Sequence, residues 1–582
     1  MFFWGIALFF AWSWANSSWS FAIMADTQWA LQKCTLIEAT GDSLCVSADS
    51  LSGYRNPNSV SVDFIHQIQE RLILNHHVKF LVLLGDFGDA VDIKSVQTRA
   101  TWAQELYDAK IGVFPVRGNH DEGPLNAREF LKVFPQTRDG EMNKTPPESM
   151  IWTDSAQIHP RLVPGSTPFT VGSNFSSPAC APGRSYAFEE EGASFVFIDI
   201  FMDEKLKYCE AKDQITWIDS VLSAKPSKHS PAFVFSHKPL IGACHDDNLF
   251  GPTAASDSLN TVKFMETLVR NGVRIYIAGH DHLLQHSIID EPGDGGLWIQ
   301  QAIFPGASWK FYPSLYPTID EKHNVPAYGK KREIPLAQEL AYIGYQIVEI
   351  DGERVEITSW GAPTGLKYMG ELEKSEDMRE KWEYKDCVFG WSSRGKEVLL
   401  APNESMSSLS DSSLGTQANV LSGVWKASNR DFSRREFSAL VSTDWRRFPE
   451  LKSASWTLWG LEKDNGTSET PTFALSMGID SDAQNMEGLC LLHERSGVWE
   501  CAGQGEILQR AYQSGDALGT QGIDPVSREA WAVVNRGGTY AVGFHGTLGI
   551  QKKAKNSIVP FKKSYYYDLL GRQLHKIPRH SF

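Results

Sequence analysis

Five times in its first half this chain runs through a short apolar stretch and ends it on side chains that bind metal ions. The segments are Ala25-Asp26-Thr27-Gln28, Leu84-Gly85-Asp86-Phe87-Gly88-Asp89, Gly118-Asn119-His120-Asp121, Val234-Phe235-Ser236-His237 and Gly279-His280-Asp281-His282. Each apolar stretch reads as a buried strand, so Asp, Asn and His side chains are delivered together at strand ends. Open α/β sheets form their sites beyond those ends. Carboxylate, amide and imidazole donors in this mixture suit zinc, iron and manganese. Two such ions about 3.5–4 Å apart, sharing a bridging carboxylate and a bridging hydroxide, hydrolyse phosphoesters. Asp86, set in a sharp turn by Gly85 after a Val-Leu-Leu run, is the natural bridging ligand.

The text between these segments predicts an α/β domain over about 21–362. Phe21–Ala25, Phe80–Leu84, Gly112–Val116, Ser194–Ile200, Ala232–Ser236 and Val273–Ala278 read as strands. Val60–Leu74, Gln97–Ala109, Gln214–Ser223 and Leu259–Asn271 read as helices between them. Leu297–Ala302, Tyr342–Ile350 and Arg354–Trp360 read as closing strands. Alternation of this kind layers helices on sheets. Residues 363–415 read as a polar linker, Glu- and Lys-rich and then Ser-rich. From 416 to 562 short strands separated by Gly, Asn and Asp clusters predict a smaller all-β domain, a sandwich. His493 and His545 stand alone there and read as structural. Residues 563–582 are a basic tail, and Tyr565–Leu574 resembles the end of carboxy-terminal sorting domains of some bacterial secretion systems.

At 582 residues the chain needs more than one domain. Its net charge of -14 gives no general attraction to nucleic acid or anionic membrane, and the basic run from Lys552 to Arg579 reads as a solvated tail. The opening MFFWGIALFFAWSWA is short for a membrane span and reads as a signal peptide, cleaved after Ala15, within a leader segment 1–20. It lacks the usual Lys or Arg before its apolar core. No later run is long and apolar enough to span a bilayer, so the mature chain is expected to be soluble, and with such a leader to be exported (extracellular, periplasmic or at the cell surface). The eight cysteines agree. Cys34 with Cys45 and Cys490 with Cys501 are the expected local disulfides; Cys180, Cys209, Cys244 and Cys387 stay unassigned. Asn143, Asn174, Asn403 and Asn465 sit in glycosylation sequons. Gly293–Gly296 lacks a following helix or Lys and reads as a turn, not a phosphate loop.

The five segments, in this order and spacing, resemble the calcineurin-like metallophosphoesterase superfamily and, within it, the purple acid phosphatase branch. Gly183–Asp199 and Gln214–Leu222 resemble the family's intervening strand and helix, and His237-Lys238-Pro239-Leu240 its third His segment. The resemblance implies a two-sheet β-sandwich flanked by helices, two metal ions (Fe, Zn, Mn or Mg) and a small phosphoester substrate. It assigns Asp26, Asp86 and His282 to the first metal and Asp86, Asn119, His237 and His280 to the second. His120 is expected to face the substrate and protonate the leaving alkoxide, with Asp121 orienting its imidazole through a hydrogen bond. Two departures stand out. Gln28 occupies a place where most of the superfamily has His; it is a weak amide ligand or a hydrogen-bonding neighbour. Asp89 stands where purple acid phosphatases carry the tyrosinate that gives their colour, and it is expected to orient its neighbours rather than bind metal. His286 reads as structural, and Cys244–Asp247 as a solvated loop or a substrate contact.

The leading expectation is an exported phosphomonoesterase. A phosphodiesterase or nucleotidase of the same superfamily uses the same motifs, since leaving-group pockets lie in variable loops. A binding or surface-attachment protein with an inactive domain is the reading from another class, with Gln28 its main support and the β-rich domain a candidate docking module.

Overall fold

The computed structural model describes residues 18–28, 32–36, 43–47, 57–89, 93–138, 175–291, 297–308, 310–312, 314, 327–328, 330–339, 342–363, 370–371, 383–393, 395–400, 409–411, 416–422, 439–444, 450–459, 472–495, 498–544, 566–567 and 573–574. Residues 1–17, the four sequon asparagines, His545, Gly293–Gly296 and most of the basic tail lie outside these residues; the end of the expected leader, Trp19 and Ser20, belongs to the first strand.

The first strand is a continuous apolar run, Phe21 to Ala25, whose side chains alternate between two faces. Phe21, Ile23 and Ala25 point one way, Ala22 and Met24 the other, and all are buried. Both faces are covered because the strand lies inside a six-stranded sheet sandwiched between layers. Trp19–Met24, Phe80–Leu84 and Gly112–Val116 run parallel, and Tyr342–Asp351 and Arg354–Pro363 continue the sheet antiparallel. A second, eight-stranded sheet has Ala193–Ile198, Ala232–Ser236, Ile275–Ala278 and Trp298–Ile303 parallel at its centre.

Three cores hold these layers together. Between the sheets, Phe21, Phe80, Phe114, Phe188, Phe195 and Phe233 form an aromatic core, with Phe21 stacked on Phe80 at 5.0 Å and edge-on to Phe195 at 5.3 Å. Such contacts add to simple area burial. The first sheet's outer face packs on the helices Pro57–Arg71, Ile93–Trp102, Gln104–Asp108 and Pro124–Val133. The second sheet's outer face packs on Ala211–Ser223 and Ser258–Arg270. The result is the expected two-sheet sandwich flanked by helices. Among the described residues no helix is long and apolar enough to cross a membrane.

Two details differ from the sequence reading. The helix expected over 97–109 is two helices, broken at Ala103 so that Trp102, Ala103 and Leu106 all turn into the core. The stretch expected to be a linker carries strands. Glu383–Ser392 pairs with Arg354–Pro363 as the edge of the first sheet and sets Trp391 against Phe233. Its charged first half, Glu383-Tyr384-Lys385-Asp386, hides the strand in the sequence. Glu397–Leu400 and Leu409–Asp411 instead join two further six-stranded sheets that close over Trp456, Phe473, Leu475, Leu491 and Val542, an all-β sandwich.

Disulfides link Cys180 to Cys209 and Cys490 to Cys501; the first pairs two residues the sequence left unassigned. Cys34 and Cys45 face each other in the register of a two-stranded hairpin, their side chains lying outside the described residues. Cys244 is free.

Candidate metal centre

Every predicted site segment begins where a parallel strand ends, and the chain bends sharply there. Asp26, Gln28, Asp86, His280 and His282 all have positive φ (46°, 38°, 52°, 76° and 54°). Side chains other than glycine adopt that conformation at a cost that only surrounding structure can hold. The surrounding structure is visible. Gln28 N–H donates to the Asp86 carbonyl at 2.8 Å, Thr27 Oγ1 donates to the Phe87 carbonyl, and Gly279 N–H donates to the His237 carbonyl. The Asp26 carboxylate accepts the His280 N–H, and Asp86 Oδ1 accepts the His120 N–H at 2.9 Å. Main-chain groups thus tie the first motif to the second, the second to the third, the fourth to the fifth and the fifth back to the first.

The glycines make room for this. A Cβ on Gly118 would lie 2.0 Å from Asp86 Oδ1, and one on Gly279 would lie 2.6 Å from Asp26 Oδ2. Gly85, at φ 87°, would push a Cβ to 2.6 Å from Gly118 N. The carboxylates pass directly over neighbouring backbone, which only glycine permits.

Two donor groups converge and share one residue. Atoms of Asp86, His237 and His280 lie within 4.8 Å of one another, and so do atoms of Asp26, Asp86 and His282. Asn119 joins the first group, its Oδ1 lying 2.9 Å from His237 Nε2. The imidazoles are aimed by what holds their other nitrogen. His237 Nδ1 meets the Leu84 carbonyl at 2.7 Å, His280 Nε2 meets Asp247 Oδ1 at 2.9 Å, and His282 Nδ1 meets the Lys310 carbonyl at 3.1 Å. That leaves His237 Nε2, His280 Nδ1 and His282 Nε2 facing inward, the arrangement that fixes tautomers in metal sites. Gln28 Oε1 is buried with no hydrogen-bond partner, while its Nε2 lies 3.4 Å from Asp86 Oδ2. An orphaned buried amide oxygen beside converging carboxylates is what a cation would satisfy. The donor set fits two metal ions.

Electrostatics agrees. Burial, reinforced by Asp86, pushes the Asp26 carboxyl well above its ordinary range. Burial would raise Asp86 too, but His237, His120 and His280 outweigh it and hold Asp86 well below. Burial opposes charge on His237, yet Asp86, Asp26 and the Leu84 carbonyl lift it to about 9. Burial drops His282 to about 3, so it presents a neutral lone pair.

His120 sits at the rim, its side chain 29% exposed and its Nε2 3.9 Å from Asp86 Oδ2. The expected hydrogen bond from Asp121 is not made. The Asp121 carboxylate reaches back to the N–H groups of Gly118 and Phe87 at 2.9 and 3.1 Å, closing the short 3₁₀ turn Asn119–Asp121. Burial and the Asp86 carboxylate raise it to about 7. The partner of His120 Nδ1 is the Asp89 carbonyl, 2.6 Å away. A side chain three residues past the start of a tight turn caps that turn, which is why the neighbour in sequence is not the neighbour in space. The Asp89 carboxylate pairs with Lys310.

The Cys244–Asp247 loop lies against the site. Asp281 accepts the Ala243 and His245 N–H groups and meets His245 Nδ1 at 2.9 Å, and the His245 ring lies 4.4 Å from that of His280. Asp247 holds His280 on one oxygen and Lys238 on the other. His286 is buried in the sheet against Gln300, and burial drops it to about 3. The His493 ring lies tilted against that of Tyr540, centroids 4.7 Å apart, its Nε2 meeting the Gly537 carbonyl. Sequence reasoning passed over Lys310 and Tyr312. The Tyr312 ring lies 4.9 Å from both His282 and His245, and burial with Asp89 nearby raises its phenol to about 12. Their position just past the end of the Trp298–Ile303 strand was the available signal.

Residues 20–284 match the model of a family described as calcineurin-like phosphoesterase. No curated protein matches the sequence. Among solved structures, purple acid phosphatase PPD1 from yellow lupin (Lupinus luteus) seeds is similar at 11% identity and a TM-score of 0.33, over 61% of this chain and 53% of that one. The chain thus matches about half the length of the lupin protein. GAP50, the anchor in the inner membrane complex of Plasmodium, is similar at 14% identity and a TM-score of 0.31, over 62% of this chain and 90% of that one.

Proposed function

Because residues 20–284 match the model of the calcineurin-like phosphoesterase family, we propose that this protein is an exported, metal-dependent hydrolase of phosphomonoesters. The observation that carries the reading is the sharing of Asp86 by two donor groups. Asp26, Asp86 and His282, with Gln28 beside them, would hold one cation. Asp86, Asn119, His237 and His280 would hold the other. When bound, two such cations supply Lewis acidity to the phosphoryl oxygens and a nucleophile from water at neutral pH.

The chain's own groups do the rest. The Asp89 carbonyl accepts the Nδ1 proton of His120, which leaves Nε2 facing the site beside Asp86. An imidazole there is placed to give its proton to a leaving oxygen and, when charged, to stabilise the phosphoryl oxygens. Asp247 keeps the proton of His280 on Nε2, so that the inward nitrogen stays a donor. The disulfides Cys180–Cys209 and Cys490–Cys501 support export, since such bonds persist in oxidising compartments.

The test is hydrolysis of para-nitrophenyl phosphate and of its bis-diester with Mn, Zn, Fe and Mg supplied separately, with His120→Ala as control. Monoester cleavage lost in the variant supports the proposal. Diester preference moves the reading to a phosphodiesterase. Folded protein that is silent with every metal contradicts it and favours a binding role.

A further inference from the structure

Among the described ion pairs that join the two sheets, one lies beside the centre at its rim. Lys310 follows the Trp298–Ile303 strand of the second sheet, and Asp89 follows the Phe80–Leu84 strand of the first. Their side chains meet as ammonium and carboxylate, 221 residues apart in sequence. Both are largely withdrawn from solvent, at 19% and 23% exposure.

Each partner carries a second contact through its backbone. The Lys310 carbonyl accepts from His282 Nδ1 at 3.1 Å. The Asp89 carbonyl accepts from His120 Nδ1 at 2.6 Å. The chain of contacts His282–Lys310–Asp89–His120 therefore runs from a candidate metal ligand on one sheet to the candidate proton donor on the other. A carbonyl on a loop fixes an imidazole only as firmly as the loop itself is fixed. Here the loop is fixed by the Asp89 carboxylate, which has Lys310 as its partner and so takes no place in the donor groups.

We propose that the Lys310–Asp89 pair is a strut that positions His120 for proton delivery to the leaving group. Lys310 and Asp89 are positioning residues: they act through His120 and need not touch substrate. This rests on the phosphoesterase reading above, and one arm of its test does not.

A misplaced acid matters most when the departing oxygen is basic. An alkyl alkoxide must be protonated as it leaves, whereas para-nitrophenolate departs without help. General acids contribute roughly 10²–10⁴-fold, so partial misplacement in Lys310→Met or Asp89→Asn is expected to lower kcat on an alkyl phosphate about 10–100-fold. The loss on para-nitrophenyl phosphate is expected to be only about threefold or less, since little of that contribution is needed there. In a His120→Ala background Lys310→Met should add nothing, and Lys310→Arg should recover much of the loss. The arm independent of activity is the rate of diethyl pyrocarbonate modification of His120, followed by peptide mass spectrometry. Freed from its carbonyl, His120 should react several-fold faster in Lys310→Met, while buried His237 and His286 keep their rates. An unchanged His120 rate overturns the strut. Equal losses on both leaving groups, or losses additive with His120→Ala, overturn its role in proton delivery. If the wild type cleaves neither ester, the phosphoesterase reading fails, and the modification rate still decides whether the pair holds His120.

Discussion

His237 Nε2 and Asn119 Oδ1 face each other at 2.9 Å while His237 Nδ1 is committed to the Leu84 carbonyl at 2.7 Å. Asp86 and Asp26 favour the charged imidazole, whose Nε2–H donates to the amide oxygen. A cation taking the place of that proton would meet the imidazole lone pair and the amide oxygen together. His280 Nδ1, 3.2 Å from the same nitrogen, and Asp86 Oδ1, 3.4 Å from it, complete the ring.

The arrangement depends on an absent side chain. Gly118→Ala would place a Cβ 2.0 Å from Asp86 Oδ1, and backbone cannot yield by that much without moving the Asn119–Asp121 turn. We expect this single methyl to remove metal binding and to lower turnover at least about 100-fold, the scale of a misplaced reacting group. Titration calorimetry with manganese checks it. Gly515→Ala, where nothing lies within 4 Å of the added atom and the backbone is not left-handed, is the control for a glycine substitution away from the site.

The iron-loaded protein should be colourless where purple acid phosphatases are purple. By the resemblance of its second motif, Asp89 would take the place of their metal-binding tyrosine, and its carboxylate is engaged by Lys310. Tyr312, with its phenol held at about 12, keeps its proton at neutral pH. The visible spectrum of ferric-loaded protein is expected to lack a tyrosinate band, and such a band would overturn this assignment.

A pH dependence follows from the contact between the two-sheet α/β domain and the β-sandwich. Glu397, on the first strand of the sandwich, is buried against Gln300, which donates to it at 2.8 Å, and lies 3.6 Å from Arg274. His286 meets the same Gln300. Burial raises Glu397 from 4.5 to about 7, Arg274 and Gln300 only partly opposing this. The folded chain therefore binds its proton more tightly than the unfolded chain does. Stability from this group is fully present below about pH 4.5 and is lost as pH rises through about 7. Glu397→Gln should remove that slope and raise the melting temperature at pH 8 relative to wild type. Thermal unfolding of both proteins across pH 5–8, roughly the range where this linkage acts, checks it; parallel curves would contradict it.

The strand-end segments were legible because metal chemistry demands particular residues and strand ends demand glycine beside them. Phe80–Leu84, Gly112–Val116 and Ala232–Ser236 are strands with the bounds read from the sequence. The partner of His120 was not legible. Asp121 is adjacent in sequence, but the 3₁₀ turn takes its carboxylate to Gly118 and Phe87. Lys310 was hidden because its partner is 221 residues away, a distance at which no local pattern speaks. The strand Glu383–Ser392 was hidden by its charges, which an edge position tolerates. The Cys180–Cys209 pairing depends on how the segments before Tyr186–Glu190 and after Ala193–Ile198 meet beside those strands, which spacing alone does not determine.

The most direct test is the number of metal ions per chain, by inductively coupled plasma mass spectrometry on protein reconstituted and freed of excess metal. Wild type is expected to retain two. His282→Ala should keep one, and Asp86→Ala, which removes the residue common to both donor groups, should keep none. One ion or fewer in the wild type, or two in Asp86→Ala, would contradict a centre built on a shared Asp86.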